Sequence, residues 1–107
     1  MSSSITSLRE FGLSNLEIQV YLALLDADMV RASVIANRCD IPRSTAHYTC
    51  QKLVRKGIVT SVMKHNAAHF SAKSPQELRS LLDGQFEELE RKSHRLDHII
   101  ASLYAST

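Results

Sequence analysis

The stretch from Ile41 to Gly57 constrains the fold most strongly, because it divides into two chemically distinct faces at helical spacing. Pro42 suits the first turn of a helix, where its missing N–H would have no intrahelical partner. Gly57 can adopt the left-handed conformation that ends a helix. The sequence therefore predicts a helix over about Pro42–Lys56, with a small, mainly apolar face formed by Ala46, Thr49, Cys50 and Leu53.

The opposite face of this helix carries hydrogen-bonding and basic side chains and no acidic one: Ser44, Thr45, Tyr48, Gln51, Lys52 and Arg55. Such side chains suit contacts with phosphates and base edges. We interpret the helix as a DNA-recognition helix; the alternative is a solvated polar face. The expected phosphate contacts are Arg43, Lys52, Arg55 and Lys56, and the expected base-facing residues are Ser44, Thr45, Tyr48 and Gln51, with His47 as a further candidate.

Positive charge is concentrated in the middle third of the chain. Residues 41–76 contain no Asp or Glu and six basic residues, namely Arg43, Lys52, Arg55, Lys56, Lys64 and Lys73. The two flanking segments each hold more acidic than basic residues, although the net charge of the whole chain is +2. A segregated basic patch is typical of proteins that bind a polyanion, and it can also arise by chance in a short chain.

The residues before this stretch predict two further helices. No regular structure is expected at residues 1–4, and Ile5, Leu8 and Phe11 form a short helical segment closed by Gly12. Ser14 and Glu17 form a capping box for a helix that ends near residues 26–28. A short connection at residues 29–32, with a brief extended piece, leads to a second helix capped by Ser33. Together with Pro42–Lys56, this order predicts a helix-turn-helix.

After Gly57 the pattern changes to that of extended chain. Residues 58–64 are rich in β-branched side chains and predict a strand, residues 65–68 a turn, and residues 69–72 a second strand. A hairpin directly after a recognition helix is a wing, whose tip would place Lys64, His65 and Asn66 against DNA. The alternative is a hairpin that only stabilises the fold.

A long helix is predicted from a second capping box, Ser74 to Glu77, to about Tyr104. Its apolar residues follow a seven-residue repeat, which favours pairing with a second copy of the chain over folding back on its own domain. The expected dimerisation residues are Leu82, Phe86, Leu89, Leu96, Ile100 and Leu103. The chain thus divides into a winged helix-turn-helix domain at 1–74 and a dimerisation helix at 75–107.

Other chemistry finds little support. His94, Asp97 and His98 are weak candidates for a metal site shared between two copies, and a solvated helix face is the preferred interpretation. Cys39 and Cys50 do not make a disulfide framework, and a redox switch lacks a basic activating group. No enzymatic constellation and no cofactor site are present. No apolar run approaches a membrane span of about 20 residues, and no secretory signal is visible, so a cytoplasmic protein is expected.

Residues 5–80 resemble the winged-helix N-terminal domain of TrmB-like transcriptional regulators. The resemblance rests on four segments in order: Phe11-Gly12-Leu13-Ser14, Ile41-Pro42-Arg43-Ser44-Thr45, Lys56-Gly57-Ile58-Val59 and Ser74-Pro75. One departure is His47, where the family favours tyrosine; Tyr48 follows it. Larger members carry a C-terminal sugar-binding domain, which the resemblance does not reach, so sugar sensing is not expected here.

The expected fold is mainly α with a small β-hairpin, a winged helix-turn-helix followed by a long dimerisation helix. The resemblance implies a sequence-specific regulator that binds double-stranded DNA, and the heptad pattern implies a homodimer. The alternative is a winged-helix module that binds another protein and has no specific DNA site. Neither hypothesis requires an enzyme activity or a membrane.

Overall fold

The computed structural model describes residues 5–106, so the expectation for residues 1–4 lies outside it. A 3-10 turn (Ser7–Phe11) comes first, and a second (Pro75–Arg79) precedes the last helix. The other elements are α1 (Asn15–Leu25), β1 (Val30–Arg31), α2 (Ala32–Cys39), α3 (Arg43–Arg55), β2 (Val59–Lys64), β3 (Ala67–Ala72) and α4 (Ser80–Ala105). This confirms the expected winged helix-turn-helix followed by a long helix.

The ends of the helices follow the local chemistry of the sequence in most places. The Ser14 hydroxyl accepts the Glu17 N–H at 3.1 Å, and the Glu17 carboxylate accepts the Ser14 N–H at 2.8 Å, which is the predicted capping box. Gly57 has a left-handed φ of 86° directly after α3. The prediction that Ser33 caps α2 is wrong. Arg31 is the N-cap residue, because β1 leads directly into the helix.

The wing is part of a three-stranded antiparallel sheet in the order β1-β3-β2. The predicted hairpin is confirmed, and the brief extended piece before α2 becomes β1, where Val30 lies opposite Phe70. The predicted turn at residues 65–68 is too long. His65 and Asn66 alone make the turn, because both adopt left-handed φ values, of 50° and 63°, which match the twist of a two-residue hairpin.

The core lies between α1, α2, α3 and the sheet. Its largest fully buried side chains include Tyr21, Leu24, Ile35, Leu53 and Phe70. The Tyr21 hydroxyl donates a hydrogen bond of 2.8 Å to the carbonyl oxygen of Lys73, so α1 is fixed to the end of the wing. Among residues 5–106, no helix combines the length and the apolar character needed to cross a membrane.

Helix α4 leaves the domain soon after it begins. Leu81 packs into the core, whereas every residue of α4 from Leu89 to its end is exposed. The 26 residues of α4 make a rod of about 39 Å at about 1.5 Å per residue. The domain itself covers only the first turns of this rod, and the side chains of its second half are exposed in the single chain.

Candidate nucleic-acid interface

Helix α3 has the two faces that its sequence predicts. Ala46, Thr49, Cys50 and Leu53 are buried against α1, α2 and the wing. The Thr49 hydroxyl donates to the Thr45 carbonyl at 2.7 Å, so this buried polar group is satisfied within the helix. Burial raises the pKa of the Cys50 thiol to about 11, which keeps it protonated at neutral pH as a small core residue.

The opposite face of α3 is open to solvent. Its exposed side chains are Arg43, Ser44, His47, Tyr48, Gln51 and Arg55, and Thr45 and Lys52 are half-buried at its margins. Among the ion pairs of residues 5–106, none involves Arg43, Arg55 or Lys64. These three cations are therefore available to an external anion, and the neutral side chains between them can donate and accept hydrogen bonds.

Two of the candidates interact with each other on this face. The Lys52 ammonium lies 5.5 Å from the centroid of the Tyr48 ring, which is within cation–π range. The same ammonium lies 3.8 Å from a carboxylate oxygen of Glu17 on α1. Tyr48 itself remains 57% exposed, so more than half of the residue is open to solvent.

Lys56 has a different environment from the one its sequence position predicts. Its ammonium donates 2.6 Å to the Gly12 carbonyl and 2.8 Å to Oε1 of Glu17, a residue only 2% exposed. It also lies 2.8 Å from Oε2, but hydrogen-bond geometry is satisfied at Oε1 alone. Lys56 therefore joins the end of α3 to α1. Because Glu17 compensates its charge, Lys56 is not one of the unpaired cations of the surface.

The two rings at positions 47 and 48 have separate environments. The His47 ring meets Phe70 of β3 edge-to-face at 5.7 Å, so His47 lies between α3 and the wing while Tyr48 points away. A groove beside His47 is lined by Arg31, Ser33, Arg43, Ala67 and Ala68. Sequence reasoning missed Arg31 as a surface cation of this groove, because only the pairing of β1 with β3 brings it to the wing.

The tip of the wing is exposed. Lys64 pairs with Ala67 in the last strand pair of the hairpin, and His65 and Asn66 form the turn beyond it. The left-handed backbone of His65 and Asn66 turns the chain sharply, so the tip is narrow. The basic Lys64 and the hydrogen-bonding side chains of His65 and Asn66 are therefore exposed together at the end of the wing.

The predicted dimerisation residues form an exposed stripe along α4. Leu82, Phe86, Leu89, Leu96, Ile100 and Leu103 are between 42% and 65% exposed in the single chain. Soluble domains rarely expose such a continuous apolar surface without a partner for it. His94, Asp97 and His98 are also exposed on α4, and residues 5–106 contain no group of three or more such side chains that could hold a metal ion.

Solved structures share this fold. A possible transcriptional regulator from Methanosarcina mazei Go1 matches with a TM-score of 0.63 at 12% identity, over 91% of this chain and 87% of that chain. The Staphylococcus aureus MepR–DNA complex matches with a TM-score of 0.60 at 13% identity, over 99% and 90% of the two chains. TrmBL2, an archaeal chromatin protein, matches with a TM-score of 0.66 at 21% identity, over 94% of this chain and 41% of its own.

The family comparison is more specific than the fold comparison. A comparison with curated proteins gives no match. The family described as "Sugar-specific transcriptional regulator TrmB" matches residues 8–76, well over half of the 107 residues, from the first 3-10 turn to the start of the second. This range includes α3, the wing and the Glu17–Lys56 pair. The chain therefore belongs to the TrmB family of winged-helix transcriptional regulators.

Proposed function

We propose that this chain is a sequence-specific regulator that binds double-stranded DNA as a homodimer. The observation that carries the proposal is the exposed face of α3, where neutral hydrogen-bonding side chains lie between cations that no described carboxylate neutralises. Placed in the major groove, such a helix contacts both base edges and phosphates. The wing follows at once and extends the contact to the neighbouring backbone or minor groove.

The roles divide by charge. Arg43, Arg55 and Lys64 contact phosphates and supply most of the affinity, which therefore falls steeply with salt. Ser44, Tyr48 and Gln51 face base edges, since they are exposed and uncharged. Thr45, His47 and Lys52 contact DNA from the margins of the face, and His65 and Asn66 do so from the wing tip. Lys56 is left out of the contact set, because Glu17 and Gly12 already hold its ammonium.

The homodimer forms through the apolar stripe of α4. A second copy supplies the same stripe, and two such helices bury it in a coiled coil. The two recognition helices then face one duplex, which requires a roughly palindromic site with half-sites about 34–36 Å apart, or a multiple of that spacing.

Two of the related structures support DNA as the partner. MepR is described in a complex with DNA, and TrmBL2 is described as a chromatin protein with its own mode of DNA binding. The chain has the same fold as both, and its family is one of transcriptional regulators, so nothing in this assignment calls for a catalytic activity.

Selection of bound sites from a random duplex library by the purified protein, near physiological salt, tests the proposal. We expect an enriched motif with two-fold symmetry. Retention of duplexes without a motif would contradict sequence specificity and indicate architectural binding. No retention would contradict DNA binding and favour the alternative, a winged-helix module that binds another protein.

A further inference from the structure

A pocket of about 240 Å³ lies where the DNA-binding domain meets α4. Three separate segments form it: the first 3-10 turn with Gly12, the end of α3, and the first turns of α4. Pockets for drug-sized ligands have volumes of about 300–1,000 Å³. This pocket therefore suits a smaller molecule. None of the roles proposed above for DNA binding or dimerisation uses it as a cavity.

The lining combines an apolar interior with excess positive charge. Phe11 and Leu81 supply apolar surface, and the pocket lining is mostly apolar. Arg55 and Arg91 reach the same pocket, where the single lining carboxylate, Glu88, is held by Arg91 at 2.7 Å. Arg55 has no ion-pair partner among residues 5–106. The complementary ligand is thus a small organic anion with an apolar body.

Gly84 keeps the pocket open on the α4 side. A Cβ atom built at this position meets no heavy atom within 4 Å, so the bare backbone faces free space. Four of the pocket-lining residues of α4, namely Leu81, Gly84, Glu88 and Arg91, recur at spacings of three and four and share one helix face, and Gln85 lies at its edge. At about 100° per residue these four residues lie at least about 80° around the helix from Leu82, Phe86 and Leu89, whereas Gln85 lies about 40° from Leu89, so pairing through the stripe leaves most of the pocket accessible.

Arg55 connects the pocket to the DNA-facing surface. Its side chain lines this pocket and also a second groove, formed with Gln51, Val54, Ser61 and Phe70 between α3 and the wing. A single guanidinium cannot pair at full strength with both a DNA phosphate and a carboxylate in the pocket. An anion in the pocket therefore competes with DNA for Arg55.

We propose that the pocket between α3 and α4 binds a small carboxylate with an apolar body, and that this ligand weakens DNA binding by engaging Arg55. The effect on DNA binding rests on the proposed function, whereas the ligand-binding site does not. Ligand binding and DNA binding are linked thermodynamically, so bound DNA lowers the affinity for the ligand by the same factor.

Isothermal titration with 1-naphthoate, in the absence of DNA, tests the site. We expect wild-type protein to bind 1-naphthoate at least about tenfold more tightly than the neutral 1-naphthamide, because Arg55 is available to the carboxylate and Arg91 neutralises Glu88 beside it. Gly84→Leu fills the pocket from an open helical position and should weaken 1-naphthoate binding at least about tenfold. Ala101→Leu adds a comparable bulk on exposed α4 surface and should leave 1-naphthoate binding unchanged.

A second pair of variants separates pocket binding from changes in helix stability. Arg91→Gln removes a pocket cation, and Arg95→Gln removes the neighbouring cation, which lies 3.9 Å from Glu88 but does not line the pocket. We expect only Arg91→Gln to weaken the binding of 1-naphthoate. Equal binding by wild type, Gly84→Leu and Arg91→Gln, or no binding at about 5 mM 1-naphthoate, would overturn the site.

The coupling is measured by titrating the selected duplex with and without saturating 1-naphthoate. We expect a loss of DNA affinity of about fivefold or more in wild type and Ala101→Leu, and none in Gly84→Leu. Unchanged DNA affinity in wild type with the pocket occupied would overturn the shared use of Arg55. A protein that binds 1-naphthoate as expected but retains no duplex would contradict the proposed function while the site stands.

Discussion

The ammonium of Lys56 lies 2.8 Å from Oε1 of Glu17, although the two residues are 39 positions apart in the chain. Glu17 is nearly fully buried and also receives the Ser14 N–H, so one carboxylate closes the first turn of α1 and holds the end of α3. Lys52 approaches the same carboxylate at 3.8 Å. The orientation of the recognition helix is thereby tied to the capping box of another helix.

Glu17→Gln should lower the free energy of unfolding by about 1–3 kcal/mol, because it leaves Lys56 without its charged acceptor in a partly buried place. Urea denaturation measures the effect. Lys56→Met is the matched change on the other partner. The double variant should lose less than the sum of the two single changes, since both remove the same interaction. Strict additivity would contradict a direct pair.

Acid should weaken the fold through the same carboxylate. Burial raises the pKa of Glu17, but the Lys56 hydrogen bond, the Ser14 N–H and the two lysine charges outweigh it and hold the pKa below the ordinary value of 4.5. A carboxyl with a lowered folded pKa stabilises the protein above 4.5, and this stabilisation is lost as pH falls through the folded pKa.

A series of urea midpoints from neutral pH to acid pH, compared between wild type and Glu17→Gln, isolates this contribution. The difference between the two proteins should be constant at neutral pH and shrink below about pH 4.5. A difference that stays constant down to the acid limit would show that Glu17 does not titrate with folding.

Two glycines should respond to alanine in opposite directions. Gly84 lies inside α4 with open space at its Cβ position, so Gly84→Ala should stabilise the protein by up to about 1 kcal/mol. Gly57 has a φ of 86°, and an added Cβ would come within 3.4 Å of the Ser80 Cβ. Gly57→Ala should therefore destabilise by about 1 kcal/mol or more. Thermal denaturation of both variants distinguishes the cases, and equal effects would contradict the left-handed turn after α3.

The stripe on α4 should control the oligomeric state. Leu89→Glu places a charge in the middle of the proposed helix pair, and light scattering should then give the mass of a single chain, 12.0 kDa, in place of twice that value. Ala101→Glu changes the charge of the same helix outside the stripe and should remain dimeric. A wild-type protein that is monomeric at all concentrations would exclude the coiled coil.

Two variants should distinguish a residue that reads bases from a residue that contacts phosphates. Gln51→Ala should relax the preference at one position of the bound motif, while Lys64→Ala should weaken all sequences similarly and reduce the salt slope by about one unit. Anisotropy titrations on the selected duplex, single-base variants of it and a salt series give both quantities. An unchanged preference in Gln51→Ala would remove Gln51 from the readers.

Local patterns predicted the parts of this fold that depend on neighbouring residues. The two faces of α3 follow from helical periodicity, and the Ser14 and Ser74 capping boxes follow from residues three positions apart. The pairing of Lys56 with Glu17 was not predictable, because the two residues are distant in sequence and the capping box already accounted for Glu17 locally. Arg31 was missed for another reason: a strand of two residues carries almost no periodic signal.

The turn and the pocket illustrate two other limits. The wing turn was expected to be longer, because nothing in the sequence indicates that His65 adopts the left-handed conformation that shortens it. The pocket depends on Phe11, Arg55 and Gly84 converging from three segments, which only the packing of α4 against the domain determines.

The placement of α3 on DNA is tested most directly by amide chemical-shift changes in wild-type protein titrated with its selected duplex. We expect the largest changes along α3, from Arg43 to Arg55, and at the wing tip from Lys64 to Asn66, with small changes in the second half of α4. Changes concentrated on α4, with those of α3 no larger than the average of the domain, would contradict the proposed interface.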